Sequence, residues 1–240
     1  YVGIFFLYPE LLNIYGDKGN ILAIQKRCEW RGIGVNIYNI SPGDAVNPEK
    51  YDIYFIGGGQ DQQQNAVAKE LQKNKEALIS AAEDNVVFLS ICGGYQLLGH
   101  YYKPHAGDKL EGISIIDAYT VAGHTRYIGN VTVETDFLNP KTLVGFENHS
   151  GLTYLQGDTK PIGKIIVGNG NNGLQNGSAA EGARYKNVFG TYLHGSLLPK
   201  NPHFTDYLIL KALTRKYGNH FELEPLNDSI ENYAHKRAIG

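Results

Sequence analysis

The chain opens on an unbroken apolar block, Val2-Gly3-Ile4-Phe5-Phe6-Leu7-Tyr8, which has the length of a strand and the continuity of one buried on both faces. Asp17-Lys18-Gly19-Asn20 starts a segment in which Ile21, Ile24, Cys28 and Trp30 recur at helical spacing as far as Gly32. Val35–Ile40 alternates as a strand, and Tyr51–Ile56 is another that runs into Gly57-Gly58-Gly59. The pattern predicts a polar helix over Gln64–Asp84, with Leu71, Leu78 and Ala82 among its apolar positions. Val86-Val87-Phe88-Leu89 reads as a further strand and enters Ser90-Ile91-Cys92-Gly93-Gly94-Tyr95-Gln96-Leu97-Leu98-Gly99, a tight turn followed by a helical pattern. This succession predicts an α/β fold with a mainly parallel central sheet flanked by helices.

From Gly112 to Leu193 the texture changes. Short β-like pieces (Ile113–Ile116, Ile128–Glu134, Thr142–Glu147, Ile162–Val167, Ala183–Tyr185 and Val188–Leu193) alternate with turns, and Gly168–Gly173 is a loop by composition. The second half is therefore expected to be more antiparallel and to wrap the same core. His203–Tyr217 reads as a closing helix. Residues 1–218 are taken as one domain, and 219–240 as a polar tail with a helical pattern.

Composition narrows the function classes. The 240 residues are 42% hydrophobic and 19% charged, with a formal net charge of −2 and no basic block, so nothing points to nucleic acid or an anionic membrane. The longest apolar runs are far too short for a bilayer span, and no signal peptide pattern precedes the first strand. Two cysteines, Cys28 and Cys92, are too few for a disulfide framework, and no metal-ligand spacing is present. A reducing, cytoplasmic compartment is the expectation. The sequence starts at Tyr1 and contains no methionine, as expected of trimmed ends.

Candidate chemistry concentrates at two places. Cys92 sits at the apex of strand, turn and helix, where an elbow exposes a nucleophile at the carboxyl edge of a sheet and a helix N-terminus favours a thiolate. Cys28, inside a helical pattern, reads as a small core residue. The second place is Tyr192-Leu193-His194-Gly195, after the strand Asn187–Thr191. A cysteine nucleophile needs a base that later returns the proton to the leaving group, and His194 is the candidate, with His149 as a rival on sequence alone. His100, His105, His203, His220 and His235 lie in polar or terminal contexts.

Cys92-Gly93-Gly94-Tyr95-Gln96 together with Tyr192-Leu193-His194-Gly195 resembles the class I (triad-type) glutamine amidotransferases, in the branch of cobyric acid synthase and cobyrinate diamide synthase. Asn13–Asn20, Gly57-Gly58-Gly59-Gln60-Asp61, Gly145–His149 and Tyr185–Gly190 further resemble the GatD family, the glutaminase subunits of lipid II isoglutaminyl synthase. The resemblance runs from the first strand to about residue 215. It implies the flavodoxin-like fold of the class, with Cys92 as the nucleophile that forms a γ-glutamyl thioester and His194 as general base and acid. It also implies an oxyanion hole from the backbone of Gly93 and of the Gly58-Gly59 turn, Arg126 holding the α-carboxylate of glutamine, and Gln96 contacting substrate. His149 and Asn148 are expected to line the pocket.

Many members read His-x-Glu, whereas this chain has His194-Gly195-Ser196, so an orienting acid is missing at that position. The expectation is that a partner supplies it, with Glu147 as the candidate within the chain. The resemblance further implies a MurT-type Mur ligase as heterodimeric partner, with L-glutamine as substrate and lipid II as the acceptor on that partner. The chain has no GxxxxGK[ST] motif, so ATP and Mg would belong to the ligase. No cofactor or metal is expected in this chain. The alternatives are a cobyrinate-type amidotransferase, a free-standing cysteine amidase, and a catalytically silent scaffold.

Overall fold

The computed structural model describes residues 1–12, 17–47, 50–59, 61–174, 179–218 and 221–239. Residues Asn13 to Gly16 and Gln60, which carry part of the resemblance, and His220 lie outside them. In chain order the elements are β1 (Val2–Leu7), α1 (Lys18–Glu29), β2 (Val35–Ile40), β3 (Ile53–Ile56), α2 (Asp61–Lys73), α3 (Lys75–Glu83), β4 (Val87–Ile91) and α4 (Gly93–Leu98). There follow β5 (Tyr101–Lys103), β6 (Leu110–Glu111), β7 (Ala118–Glu134), β8 (Thr142–Leu155), β9 (Gly163–Val167), β10 (Ala180–Glu181), β11 (Ala183–Tyr185) and β12 (Val188–Thr191). Helices α5 (Pro202–Tyr217) and α6 (Ser229–Ala238) close the chain.

The first sheet has the order β11-β12-β4-β3-β1-β2 and is parallel apart from β11, which runs antiparallel to β12. Its apolar runs are continuous because both faces are covered. Val2, Ile4 and Phe6 of β1 share a layer with Ile21, Ile24 and Cys28 of α1 and with Phe204 and Leu208 of α5. Phe5 and Leu7 share the opposite layer with Val67 and Leu71 of α2 and Leu78 of α3. Each such side chain contributes about 1.5–3 kcal/mol by leaving water, which makes this sheet the rigid base on which the loops at its carboxyl edge are mounted.

The second sheet has the order β10-β9-β7-β5-β6, with β8 paired to β7 off that path. Its long antiparallel ribbon, β7 with β8, sets Val131, Val133 and Leu143 into the same layer as α1 and α5. The α/β class and the antiparallel second half are as the sequence implies.

Two expectations are corrected in detail. The single helix over Gln64–Asp84 is two helices broken at Asn74, whose side chain accepts from Val46 N–H at 3.0 Å and so ties the break to the β2–β3 connection. Ile113–Ile116 is not a strand: its backbone N–H groups bond to Leu97, Gly99 and Leu98 carbonyls and seal the end of α4. The polar C-terminal segment, expected to be helical, carries α6, which docks through His235, bonded to Lys200 O and Thr142 Oγ1 at 2.8 Å each. Ahead of α6, Asp228 meets the buried Arg27 of α1, whose guanidinium also forks onto Asp206 of α5. Among the described residues no helix is long and apolar enough to cross a membrane.

Candidate active site

The parallel pair β4 and β12 ends in register at Ile91 and Thr191, so the residues that follow them emerge side by side at the carboxyl edge. Cys92 follows β4 with φ 50° and ψ −107°, a conformation that costs a non-glycine residue free energy and turns the side chain out of the strand. The turn is held from both sides: Cys92 N–H donates to Thr191 O at 2.8 Å, and Gln96 N–H donates to Cys92 O at 3.0 Å. Gly94 is obligatory here, since a Cβ on it would lie 2.8 Å from Ile56 O and 2.9 Å from Gly57 O. Cys92 is half-buried, whereas Cys28 is buried, and burial pushes its thiol up to about 12. Of the two thiols, then, Cys92 has access to substrate.

His194 stands three residues beyond the end of β12, where the chain leaves the first sheet and bonds to the second. His194 N–H donates to Phe146 O at 2.8 Å, and Phe146 N–H donates back to His194 O at 3.2 Å. The imidazole is buried beside Cys92 and a third group, Asp17. Asp17 Oδ1 lies 3.9 Å from His194 Nδ1, an ion-pair distance, and Asp17 is wholly buried. Burial alone would push the His194 pKa down, but the Cys92 sulfur and the Asp17 carboxylate outweigh it and raise it to about 10. The favoured state is an imidazolium beside the sulfur, as a thiol nucleophile requires.

The Gly57-Gly58-Gly59 turn at the end of β3 completes the edge. A Cβ on Gly58 would sit 3.3 Å from both Cys92 Cβ and His194 Cε1, so this glycine lies between the thiol and the imidazole. Its N–H donates to Asp17 Oδ2 at 2.7 Å, which removes it from the oxyanion hole where the sequence placed it. Gly59 and Gly93 are the better pair: a Cβ on Gly93 would lie 3.3 Å from Gly59 N, and the Gly93 N–H, at the first turn of α4, has no partner within the helix.

Gln96 also differs from expectation. It is buried, its Oε1 accepts from Gln64 Nε2 at 2.6 Å, and its Nε2 donates to Tyr192 Oη at 3.0 Å. These bonds hold the amide between Gln64 of α2 and Tyr192. Arg126 is exposed on β7, in the stretch where the β7–β8 register shifts, and its Nε donates to Asn148 Oδ1 at 2.7 Å. Asn148 lies two residues from Phe146, the anchor of His194. His149 is buried with its ring stacked 3.7 Å from that of Tyr192, and its Nδ1 donates to Gly151 O at 2.9 Å.

Glu147 is not at the base. Its carboxylate accepts from Asn169 and Gly170 N–H groups at 3.0 Å each and faces His149 Nε2 at 3.8 Å. Burial would raise its pKa, but His149 and these donors hold it below the usual carboxylate value. The acid beside His194 is Asp17, which sequence reasoning missed while looking to a partner or to Glu147. Asp17 does fall in the Asn13–Asn20 segment of the resemblance, and it starts a helix; it reaches His194 only through the fold.

An edge that sets a half-buried thiol beside an imidazole and a buried carboxylate has the parts from which acyl-transfer sites are built. Residues 3–202 match the CobB/CobQ-like glutamine amidotransferase domain, and the chain belongs to that family; it is a glutamine amidotransferase. Among its relatives, the lipid II isoglutaminyl synthase (glutamine-hydrolyzing) subunit GatD of Streptococcus pneumoniae is 40% identical over 93% of this chain and 85% of that protein. The subunit of the same name from Staphylococcus aureus is 43% identical over 95% of this chain and 90% of its own. The fold is shared with a crystal structure of a glutamine amidotransferase from Thermotoga maritima, at a TM-score of 0.55 and 15% identity, covering 99% of this chain and 93% of that one.

Proposed function

We propose that the chain is the glutaminase subunit of a lipid II isoglutaminyl synthase. It hydrolyses L-glutamine and hands ammonia to a MurT-type Mur ligase with which it forms a cytoplasmic heterodimer. The observation that carries the chemistry is the meeting of Cys92, His194 and Asp17 at one sheet edge. The assignment to lipid II rests on the GatD relatives, similar along nearly the whole chain.

In this reading Arg126 holds the α-carboxylate of glutamine, and the Cys92 thiolate attacks the side-chain amide carbon. The oxyanion that forms is met by the N–H groups of Gly93 and Gly59. The His194 imidazolium gives its proton to the amide nitrogen, ammonia leaves and a thioester remains. His194, now neutral, takes a proton from water; the resulting hydroxide attacks the thioester, glutamate departs and the thiolate–imidazolium pair is restored. Asp17 keeps Nδ1 protonated throughout, so that Nε2 is the nitrogen that exchanges protons. No cofactor is needed in this chain. ATP and Mg belong to the ligase, which activates the α-carboxyl of D-glutamate in the lipid II stem for attack by ammonia.

The test is amidation of lipid II by the pair, supplied with either glutamine or ammonium. Cys92→Ala is expected to abolish the glutamine-supported reaction, leave the ammonium-supported one intact and preserve the complex. Glutamine-supported amidation surviving in Cys92→Ala would end this reading.

A further inference from the structure

We propose that Gln64 is a positioning residue for this reaction, acting through Gln96 and Tyr192 to fix the nucleophile's helix against the strand end that carries the base. The proposal rests on the glutaminase reading and gives its site a part that the sequence motif assigns elsewhere.

Backbone pairing between the Cys92 and His194 segments stops early. The β4–β12 ladder ends at Ile91 and Thr191, and the last backbone bond across it is Cys92 N–H to Thr191 O. Beyond that point the base segment leaves for the second sheet, where Phe146 holds His194. A line of buried side chains spans the gap. Gln64 on α2 donates from Nε2 to Gln96 Oε1 at 2.6 Å and to Gly93 O at 3.3 Å. Gln96, one helical turn after Cys92, donates to Tyr192 Oη at 3.0 Å, and Tyr192 is two residues before His194.

The direction of the line is set from its start. A Tyr192 oxygen that accepts from Gln96 turns its own proton to Thr153 Oγ1, 2.7 Å away, and Thr153 in turn reaches Thr120 Oγ1 at 2.8 Å. Burial raises the Tyr192 pKa far above its usual value, so its hydroxyl remains a donor. The Tyr192 ring has no freedom either, with His149 stacked on its face and the edge of Tyr95 at 5.2 Å. Gln96 Nε2 packs closely on Gly151, where an added Cβ would lie 2.3 Å from it.

Gln64 is thus the donor that orients the whole line. It also bonds Gly93, whose N–H serves the oxyanion hole. Without it, Gln96 Oε1 is a buried acceptor lacking its donor, a state relieved by turning the amide and releasing Tyr192. The thiol and imidazole then lose their fixed separation while the glutamine-binding groups stay in place.

The experiment uses the full-length chain with Gln64→Leu, Tyr192→Phe and Gln64→Glu. The pH dependence of Cys92 alkylation by iodoacetamide is followed by mass spectrometry of its peptide, and kcat and KM for glutamine are measured in the complex. Gln64→Leu and Tyr192→Phe are expected to slow Cys92 alkylation about tenfold and lower kcat about 10–100-fold, with KM within about threefold. Gln64→Glu can donate to Gln96 only while its carboxyl is protonated, so its alkylation and kcat profiles gain a descending alkaline limb absent from the parent chain.

Unchanged alkylation and kcat in folded Gln64→Leu would overturn the proposal. So would a rise in KM alone, which would return Gln96 to substrate contact. If Gln64→Leu does not fold, presence of the alkaline limb in Gln64→Glu supports the proposal and its absence refutes it. Alkylation needs no substrate, so a chain that fails to hydrolyse glutamine but keeps the Gln64 dependence defeats the glutaminase reading and not the positioning role.

Discussion

Replacing Asp17 by Asn isolates the charge behind the base. Both side chains of the Asp17–His194 pair are essentially buried, so solvent screens their attraction little. At the observed 3.9 Å and an effective dielectric of about 20, that attraction is worth about 4 kcal/mol, or about three powers of ten in the balance between imidazolium and imidazole. Asparagine can still accept from Gly58 N–H, which leaves its amide N–H facing Nδ1. That donor makes Nδ1 an acceptor and forces the tautomer whose proton points at the thiol. Removing the carboxylate also lowers the His194 pKa from about 10, so the imidazolium loses part of its support.

The expected result is a loss in kcat of about 100–1000-fold, with KM within about threefold, read by coupled ammonia detection in the ligase complex. Alkylation of Cys92 by iodoacetamide should require higher pH in the variant than in the parent. Asp17→Asn within threefold of the parent in kcat, with an unmoved alkylation profile, would refute Asp17 as the orienting acid. The missing acid would then have to come from the partner.

Other consequences can be checked separately. Gly58→Ala pushes a methyl group between Cys92 and His194, where only 3.3 Å is available on either side, and is expected to cut kcat at least about tenfold with little change in circular dichroism. Arg27→Ala leaves Asp228 without its guanidinium and Asp206 with Arg31 alone, and should cost about 1.5–3 kcal/mol in denaturant unfolding; a cost below about 1 kcal/mol would contradict the buried-pair reading. Burial, partly offset by a bond to Thr142 O, lowers the His203 pKa from 6.5 to about 4. The unfolded chain therefore binds this proton first, so stability is intact above about pH 6.5 and falls as pH drops toward 4, and His203→Gln should flatten that part of the stability–pH curve by about one proton.

The first sheet was legible because its strands are apolar on both faces and its glycine turns fall at the carboxyl edge. The Cys92 elbow and His194 were legible for the same reason, each closing a strand. The β7–β8 ribbon was not. The piece expected at Ile128–Glu134 is only the end of one 17-residue strand that starts at Ala118 and shifts register between Ala122 and Tyr127. Helix α2 looked continuous with α3 because Asn74 breaks the helix through its side-chain bonds and leaves the hydrophobic period unbroken. Asp17 and Gln64 escaped because neither has a local signature. One carboxylate before a helix and one glutamine among several acquire meaning only through partners 177 and 32 residues away.

The parallel register of β4 and β12 divides the molecule into a working rim and a silent one. Every group assigned to chemistry leaves the first sheet at its carboxyl edge or reaches that edge from the second sheet. The opposite edge holds the Asp84–Val86 connection and the β11–β12 hairpin at Lys186-Asn187, pinned by a bond from Asn187 to Asn85 O. Four or five strand residues separate the two rims, about 15 Å of extended chain. A fluorophore, affinity handle or surface tether placed at the Lys186-Asn187 hairpin therefore stands off from the thiol by the full depth of the sheet, on a side that the reaction does not use.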